Sequence, residues 1–128
     1  MAGTLVANTI NTDTGLFSTN NAYSGIAKAW ANFGVSGATV TINNSFNVSS
    51  ITRSSAGAFV INFTTTMPNA NYCVSGFSSL SGGTGILWDG STTNTTSACS
   101  VTTGYVSSLS GGITAVDYTK NYISILGS

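Results

Sequence analysis

From residue 26 to residue 126 the chain alternates between short β-prone runs and clusters of turn residues, which constrains its fold more than any other feature. In the clearest run, Phe59, Ile61 and Phe63 share one face. About eight such runs, separated by turns, predict an all-β domain, an antiparallel β-sandwich or a barrel-like sheet. The alternation predicts this core: Phe46, Val48, Phe59, Ile61, Phe63, Val74 and Val101.

Residues 24–33 allow two interpretations. Ile26, Trp30 and Phe33 have the spacing of one helix face, and good helix formers lie between them. The same segment can be a strand with Ile26, Lys28 and Trp30 on one side. Local propensity favours the helix.

Three irregularities interrupt the strand pattern. The alternation of residues 46–53 slips by one position at Ser49 and Ser50. Residues 54–57 have the composition of a hairpin turn, and residues 67–71 form a corner that holds Pro68. We therefore expect strands to end or shift register at these places.

The first 24 residues differ from the rest and predict an extended attachment arm, followed by a β-sandwich domain at residues 25–128. A β-prone run at 5–12 is followed by a turn signal at 13–15. A flexible terminus is the alternative. The arm has these expected apolar contact residues: Leu5, Val6, Ile10, Leu16 and Phe17.

Charged residues make up 5% of the chain, against about 25% in typical soluble proteins. The three cations, Lys28, Arg53 and Lys120, are too few and too scattered for nucleic acid or a polybasic membrane surface. The longest apolar run, at 56–63, is far shorter than the ~20 residues of a membrane-spanning helix. We therefore expect neither nucleic-acid binding nor membrane insertion.

Catalytic and metal-binding residue types are scarce. The chain has no histidine, the commonest general base. Asp13 and Asp89 lie in turn-like contexts, and Asp117 lies beside Tyr118, so no pair of carboxylates is indicated. We expect no enzyme, no metal and no cofactor.

The two cysteines, Cys73 and Cys99, can be a disulfide or two buried thiols. Synthesis in a reducing cytoplasm favours thiols, and a free cysteine often behaves as a small apolar residue. Trp88 and Tyr105 are core residues or, alternatively, an aromatic platform for sugar.

A six-residue echo suggests a duplicated hairpin. Residues 78–83 and 107–112 are identical, and each copy follows a strand that contains a cysteine. Chance in a chain rich in serine and glycine is the alternative. The echo predicts two equivalent exposed loops at one end of the domain, with these candidate residues: Ser79, Leu80, Gly82, Ser108, Leu109 and Gly111.

The N-terminal residues lack the basic and continuous apolar regions of an export signal. Yet the many Thr, Ser, Asn and Gly residues are typical of an exposed β protein. Together these features indicate a virion component made in the host cytoplasm and released by lysis.

Four segments resemble a module of tailed bacteriophages that occurs in phages of marine and freshwater bacteria, including cyanophages. They are LVANTINTDTG at 5–15, KAWANF at 28–33, SFNVSSIT at 45–52 and VINFTTTMPNANY at 60–72. The resemblance covers a little over half of the chain. Members of this family are tail-fibre or virion structural proteins. The resemblance implies that residues 28–33 are a strand and that the module is a homotrimer.

The resemblance therefore implies a virion structural protein, a small fibre or appendage on the tail or capsid surface that contacts the host. A capsid decoration protein that stabilises or coats the head is the alternative. The expected partners are further copies of the chain, other virion proteins of the capsid, tail or fibre base, and a host surface glycan. A near-zero net charge and open strand edges also favour oligomerisation.

Overall fold

The computed structural model describes residue 3 and residues 9–12, 15–18, 25–80, 83–89, 94–106 and 112–127. The described residues include eleven strands. They are β1 (Thr9–Thr12), β2 (Gly15–Ser18), β3 (Ala27–Ser36), β4 (Thr39–Phe46), β5 (Val48–Ser55), β6 (Ala58–Phe63), β7 (Cys73–Leu80), β8 (Gly83–Asp89), β9 (Ala98–Val106), β10 (Ile113–Ala115) and β11 (Lys120–Leu126).

Nine of the described strands form one antiparallel, nearly closed sheet. Its order is β4-β3-β11-β7-β8-β9-β6-β5, and β10 pairs with β9. The sheet folds over so that β3 faces β6, where the Phe33 and Phe59 rings meet edge to face with centroids 5.3 Å apart. The prediction of an all-β, antiparallel, sandwich or barrel-like domain is confirmed.

The core agrees with the predicted alternation at most positions. Phe59, Ile61, Phe63 and Val101 are buried. Val48 and Val74 are half-buried and contact the core from its margin. Phe46 is the exception, because 55% of its surface is exposed.

Asn47 explains why the prediction for Phe46 was wrong. Its backbone φ is 55°, a left-handed conformation that asparagine tolerates better than most residues, and it separates β4 from β5. Strand alternation therefore does not continue from Phe46 to Val48, and only Val48 faces the core. The predicted register slip after Val48 is present in the pairing with β6.

Residues 27–36 form strand β3, so the local preference for a helix was wrong and the strand implied by the resemblance is correct. Ala29, Ala31, Phe33 and Val35 are buried in strict alternation. β3 pairs with β4 on one side and β11 on the other. Hydrogen bonding to two neighbours and burial of four side chains outweigh the small helix propensity of this segment.

Two segments that are not strands close the ends of the sandwich. At one end, Met67 is buried and donates its N–H to the Thr96 carbonyl at 2.7 Å. The predicted corner at 67–71 is part of this segment. At the other end, Tyr118 is buried and its carbonyl accepts the Val35 N–H at 3.1 Å.

Neither Cys73 nor Cys99 forms a disulfide bond. Cys99 is buried, as expected, but Cys73 is exposed, so the prediction of two buried thiols was half wrong. Cys73 is the first residue of β7, and its place in the register opposite Leu126 lies at the end of the ladder. A residue there is not covered on both sides by neighbouring strands.

Candidate functional site

Two groups of apolar side chains lie on the outer surface of the sheet. Tyr122 on β11 lies opposite Phe77 on β7, and Phe77 lies opposite Ile86 on β8. Trp30 on β3 lies opposite Phe46 at the end of β4. Contiguous exposed apolar patches mark binding surfaces in soluble proteins, so each group is a candidate site.

The first part of this surface is the Phe77 face, a small groove across β7 and β11. The Phe77 and Tyr122 rings stack with centroids 4.8 Å apart and planes inclined by 27°. Two positions along both strands, Ser75 lies opposite Ser124. Gly76 and Ile123 lie between these pairs, and the groove has a volume of about 280 Å³.

Glycine at position 76 is a requirement of this geometry. A Cβ there would meet the Tyr122 carbonyl oxygen, and it would lie 3.2 Å from both the Ile123 Cα and the Leu87 side chain. Because the first obstacle is backbone, no change of rotamer relieves it. Gly76 therefore lets β7 approach β11 closely enough for Phe77 and Tyr122 to stack.

The second part is the Phe46 face, a wider groove at the end of the sheet. Residues 26–28, 46–47 and 64–68 line a volume of about 650 Å³. Ile26 and Phe46 are 59% and 55% exposed, so the groove has an apolar rim. Its other side is the hydroxyl-bearing run Thr64, Thr65 and Thr66.

Asn47 holds the Phe46 face together. Its Nδ2 donates to the Lys28 carbonyl at 3.0 Å and to the Thr65 carbonyl at 3.1 Å. Its Oδ1 accepts the Thr65 N–H at 2.7 Å, and its own carbonyl accepts the Thr64 N–H at 3.2 Å. One side chain thus ties the end of β4 to the start of β3 and to the segment after β6.

The edges of β4 and β5 lie on either side of Asn47. Within the described residues, β4 pairs only with β3 and β5 pairs only with β6, and no ladder joins the two. Val40, Ile42 and Ile51 contact the core but are only half-buried. The sheet therefore presents two strand edges, the feature through which β proteins most readily add another strand.

The charged residues follow a different pattern. Arg53 and Asp117 form an ion pair of 2.7 Å, and Asp117 also accepts the Gly57 N–H at 2.8 Å. Hydrogen bonding from Arg53 is the main reason that the pKa of Asp117 is lowered, and the same bond raises the pKa of Arg53. Asp117 thus has a structural role, which fastens the segment at residues 116–119.

The side chains of the other two aspartates, Asp13 and Asp89, lie outside the described residues. Within the described ranges, no group of three His, Cys, Asp or Glu residues converges on a metal-sized site. The described residues also include no helix of the length and apolar character that crossing a membrane would need.

The predicted arm and loop residues are placed only in part. Leu5 and Val6 lie outside the described residues, as do Gly82, Ser108, Leu109 and Gly111. The backbones of Ile10, Leu16 and Phe17 belong to a ladder between β1 and β2, with Ile10 opposite Phe17. Ser79 is half-buried and Leu80 ends β7, opposite Gly83. The extended arm and the exposed loop tips stay predictions.

Both copies of the echo adjoin hairpins. β7 pairs with β8 and β9 pairs with β10, and the two connections leave the same end of the sheet. Ser78, the first residue of the first copy, is fully buried. Trp88 and Tyr105 lie on opposite sides of the sheet by strand alternation, so they do not form one platform for sugar.

Sequence reasoning missed the Phe77 face entirely. Its four side chains come from β7 and β11, which are more than 40 residues apart in the chain, and no local pattern shows that these strands pair. The only signal in the sequence was strand alternation. It places Ser75 and Phe77 on the same side of β7, and it places Tyr122 and Ser124 on the same side of β11.

Comparison with protein-family models, with curated proteins and with solved structures finds no match to this chain.

Proposed function

We propose that this chain is a structural protein of a tailed-bacteriophage virion, a small surface appendage that assembles from copies of itself. The phage assignment rests on the sequence resemblance of residues 5–72. The structural observation that carries self-assembly is the Phe46 face, an exposed apolar groove beside two strand edges.

The physical argument starts from the near absence of charge. Strand edges are normally protected by charged side chains, proline, bulges or a covering element. β4 has no charged residue, and β5 has only Arg53, whose charge is paired with Asp117. Bulges interrupt the ladders of both strands and give their edges some protection. A neighbouring copy would cover the rest of each edge, and a closed symmetric assembly does so without growing into a fibril.

The Phe46 face suits such a contact. Ile26 and Phe46 together supply large exposed apolar groups, and burial of each is worth roughly 1–2 kcal/mol. The face also lies where the N-terminal residues 1–24 join the domain, because Ile26 and Ala27 line the groove. A neighbour's arm and a neighbour's domain can therefore reach the same groove. Three-fold symmetry comes from the family resemblance.

Quantitative mass spectrometry of purified particles tests the virion assignment. We expect peptides of this chain in particles at a fixed ratio to the major capsid protein. A low ratio fits a tail appendage, and a ratio near one per capsid position fits the decoration protein. Presence in the lysate with absence from purified particles would contradict the proposal.

Removal of residues 2–17 tests the attachment arm. Because the described sheet of nine strands starts at β3, we expect the truncated chain to fold. We also expect it to be lost from particles. Circular dichroism checks folding, and particle mass spectrometry checks incorporation. Incorporation at the full-length level would show that the arm is not the attachment element.

A further inference from the structure

The Phe77 face has the shape and chemistry of a sugar subsite. We propose that the groove between the Phe77–Tyr122 pair and the Ser75–Ser124 pair binds one neutral pyranose ring of a glycan. The inference rests on the proposed function and deepens it, because it names the class of host molecule that a virion appendage would bind. Sugar binding itself is measurable on the isolated protein.

The aromatic end of the groove offers a stacking surface. Tyr122 stacks against one side of Phe77, and 56% of the Phe77 surface is still exposed. The face of an aromatic ring carries partial negative charge, and it attracts the slightly positive C–H groups on the apolar side of a pyranose. A fixed ring pair provides this surface with little loss of side-chain entropy.

The opposite end offers hydrogen bonds. Ser75 and Ser124 are cross-strand neighbours, and each is two residues, about 7 Å, from an aromatic partner on its own strand. The Ser75 hydroxyl has only a long contact of 3.4 Å with the Ser124 carbonyl, so it can turn toward a ligand. Serine and tyrosine hydroxyls can donate to sugar hydroxyls and accept from them.

The floor and volume of the groove limit the ligand to one ring. Ile123 directs its side chain into the core and Gly76 has no side chain, so backbone forms the floor of the groove. A volume of about 280 Å³ lies just below the range of pockets that hold drug-sized molecules. A longer glycan would lie across the surface, with one residue seated in the groove.

Electrostatics favour a neutral sugar over an anionic one. The groove lining contains no charged residue. Lys120 is the nearest cation along β11, two positions from Tyr122 and opposite Ser79. A lipid surface or nucleic acid would need several cations, whereas a neutral ring is matched by hydroxyls and one aromatic face.

Nuclear magnetic resonance titration with methyl glycosides of glucose, galactose, mannose, N-acetylglucosamine and glucuronic acid tests the proposal. We expect at least one neutral glycoside to shift the amide signals of residues 75–77 and 122–124, with a Kd of about millimolar. Phe77→Ala should weaken binding about tenfold, and Ser75→Ala should weaken it by a smaller factor.

The chain contains a matched control. Phe46→Ala removes an equally exposed phenylalanine from the same side of the sheet, 55% against 56% exposed, and should leave sugar affinity unchanged. Tyr122→Phe keeps the ring pair and tests the hydroxyl alone. It is the fallback if Phe77→Ala does not give a folded spectrum.

Four outcomes would overturn the proposal. Two concern the ligand: no glycoside shifts these signals, or only the glucuronide binds and does so through Lys120. Two concern the variants: Phe46→Ala weakens binding as much as Phe77→Ala, or Phe77→Ala breaks the oligomer and leaves sugar affinity intact. The last would make this face a contact between copies. None of the four bears on whether the chain is found in purified particles, so this proposal and the virion assignment can fail separately.

Discussion

Phe46 and Phe77 are both phenylalanines on the same side of one sheet, and their side chains are almost equally exposed, at 55% and 56%. Phe46 ends an edge strand beside Asn47. Among the described residues, β4 and β5 each pair with a strand on one side only, so the backbone groups on their other side have no ladder partner. Phe77 lies in mid-sheet, with β11 on one side and β8 on the other. Exposure alone therefore does not assign a role to an apolar side chain.

The two faces differ in the groups that they leave for a partner to bind. At the Phe46 face a second chain can bury apolar area and also continue the sheet. At the Phe77 face the backbone is already paired, and only side chains remain for recognition. The first face suits a protein copy, and the second suits a small ligand with an apolar side and hydroxyls.

The largest expected effect on stability comes from a substitution at Gly76, in the backbone floor of the Phe77 face. Gly76→Ala places a Cβ against the Tyr122 carbonyl and must push β7 away from β11. We expect a loss of roughly 2–4 kcal/mol in the free energy of unfolding. Urea denaturation measures it, with Gly25→Ala as control because a Cβ at Gly25 meets nothing within 4 Å. Equal stability of the two variants would show that the close approach is not needed.

The corresponding change at the Phe46 face is Asn47→Ala. It removes the three side-chain hydrogen bonds to Lys28 and Thr65 and leaves alanine at a φ of 55°. We expect a loss of about 2–3 kcal/mol in urea denaturation and a weaker self-association. Asn47→Gly keeps the backbone conformation without strain and isolates the amide. If both variants match the original protein, Asn47 does not hold the groove.

A third test lies away from both faces. The pKa of Asp117 is lowered in the folded protein, so its ion pair contributes stability above the ordinary carboxyl value of 3.8. That contribution is lost as the pH falls below the ordinary carboxyl value and through the lowered pKa of Asp117 in the folded protein. We expect acid to lower the urea midpoint of the original protein more than that of Asp117→Asn, which is already less stable at pH 7 because it lacks the ion pair with Arg53.

Asp13→Asn is the matched control for the acid test. It removes a carboxylate from the N-terminal segment, which precedes the nine-stranded sheet in the chain, and should keep the full pH dependence. Identical acid profiles for the original protein and Asp117→Asn would contradict the structural role of the Arg53–Asp117 pair. Sugar binding and self-association should survive in Asp117→Asn at neutral pH.

The smallest effects on folding are expected from the two exposed phenylalanines. Because each is more than half exposed, Phe46→Ala and Phe77→Ala should each change the free energy of unfolding by less than about 1 kcal/mol. Thermal denaturation of dilute monomer measures this. A loss of several kcal/mol in either variant would show that the side chain belongs to the core and not to a binding surface.

Much of the fold could be predicted because alternation is a local signal. Phe59, Ile61 and Phe63 revealed β6, and the turn residues before them marked its hairpin with β5. Phe46 was misplaced because one left-handed residue, Asn47, ends the alternation, and asparagine is common in this chain. Both candidate faces depend on pairings between distant segments, which no local pattern contains.

The central claim is that the Phe46 face joins copies of this chain and the Phe77 face does not. Sedimentation velocity of the original protein, Phe46→Ala and Phe77→Ala at micromolar concentration tests it most directly. We predict that the original protein and Phe77→Ala sediment as trimers of the 13.0 kDa chain, while Phe46→Ala shifts toward monomer. A soluble monomer for the original protein, or dissociation by Phe77→Ala in place of Phe46→Ala, would contradict the account.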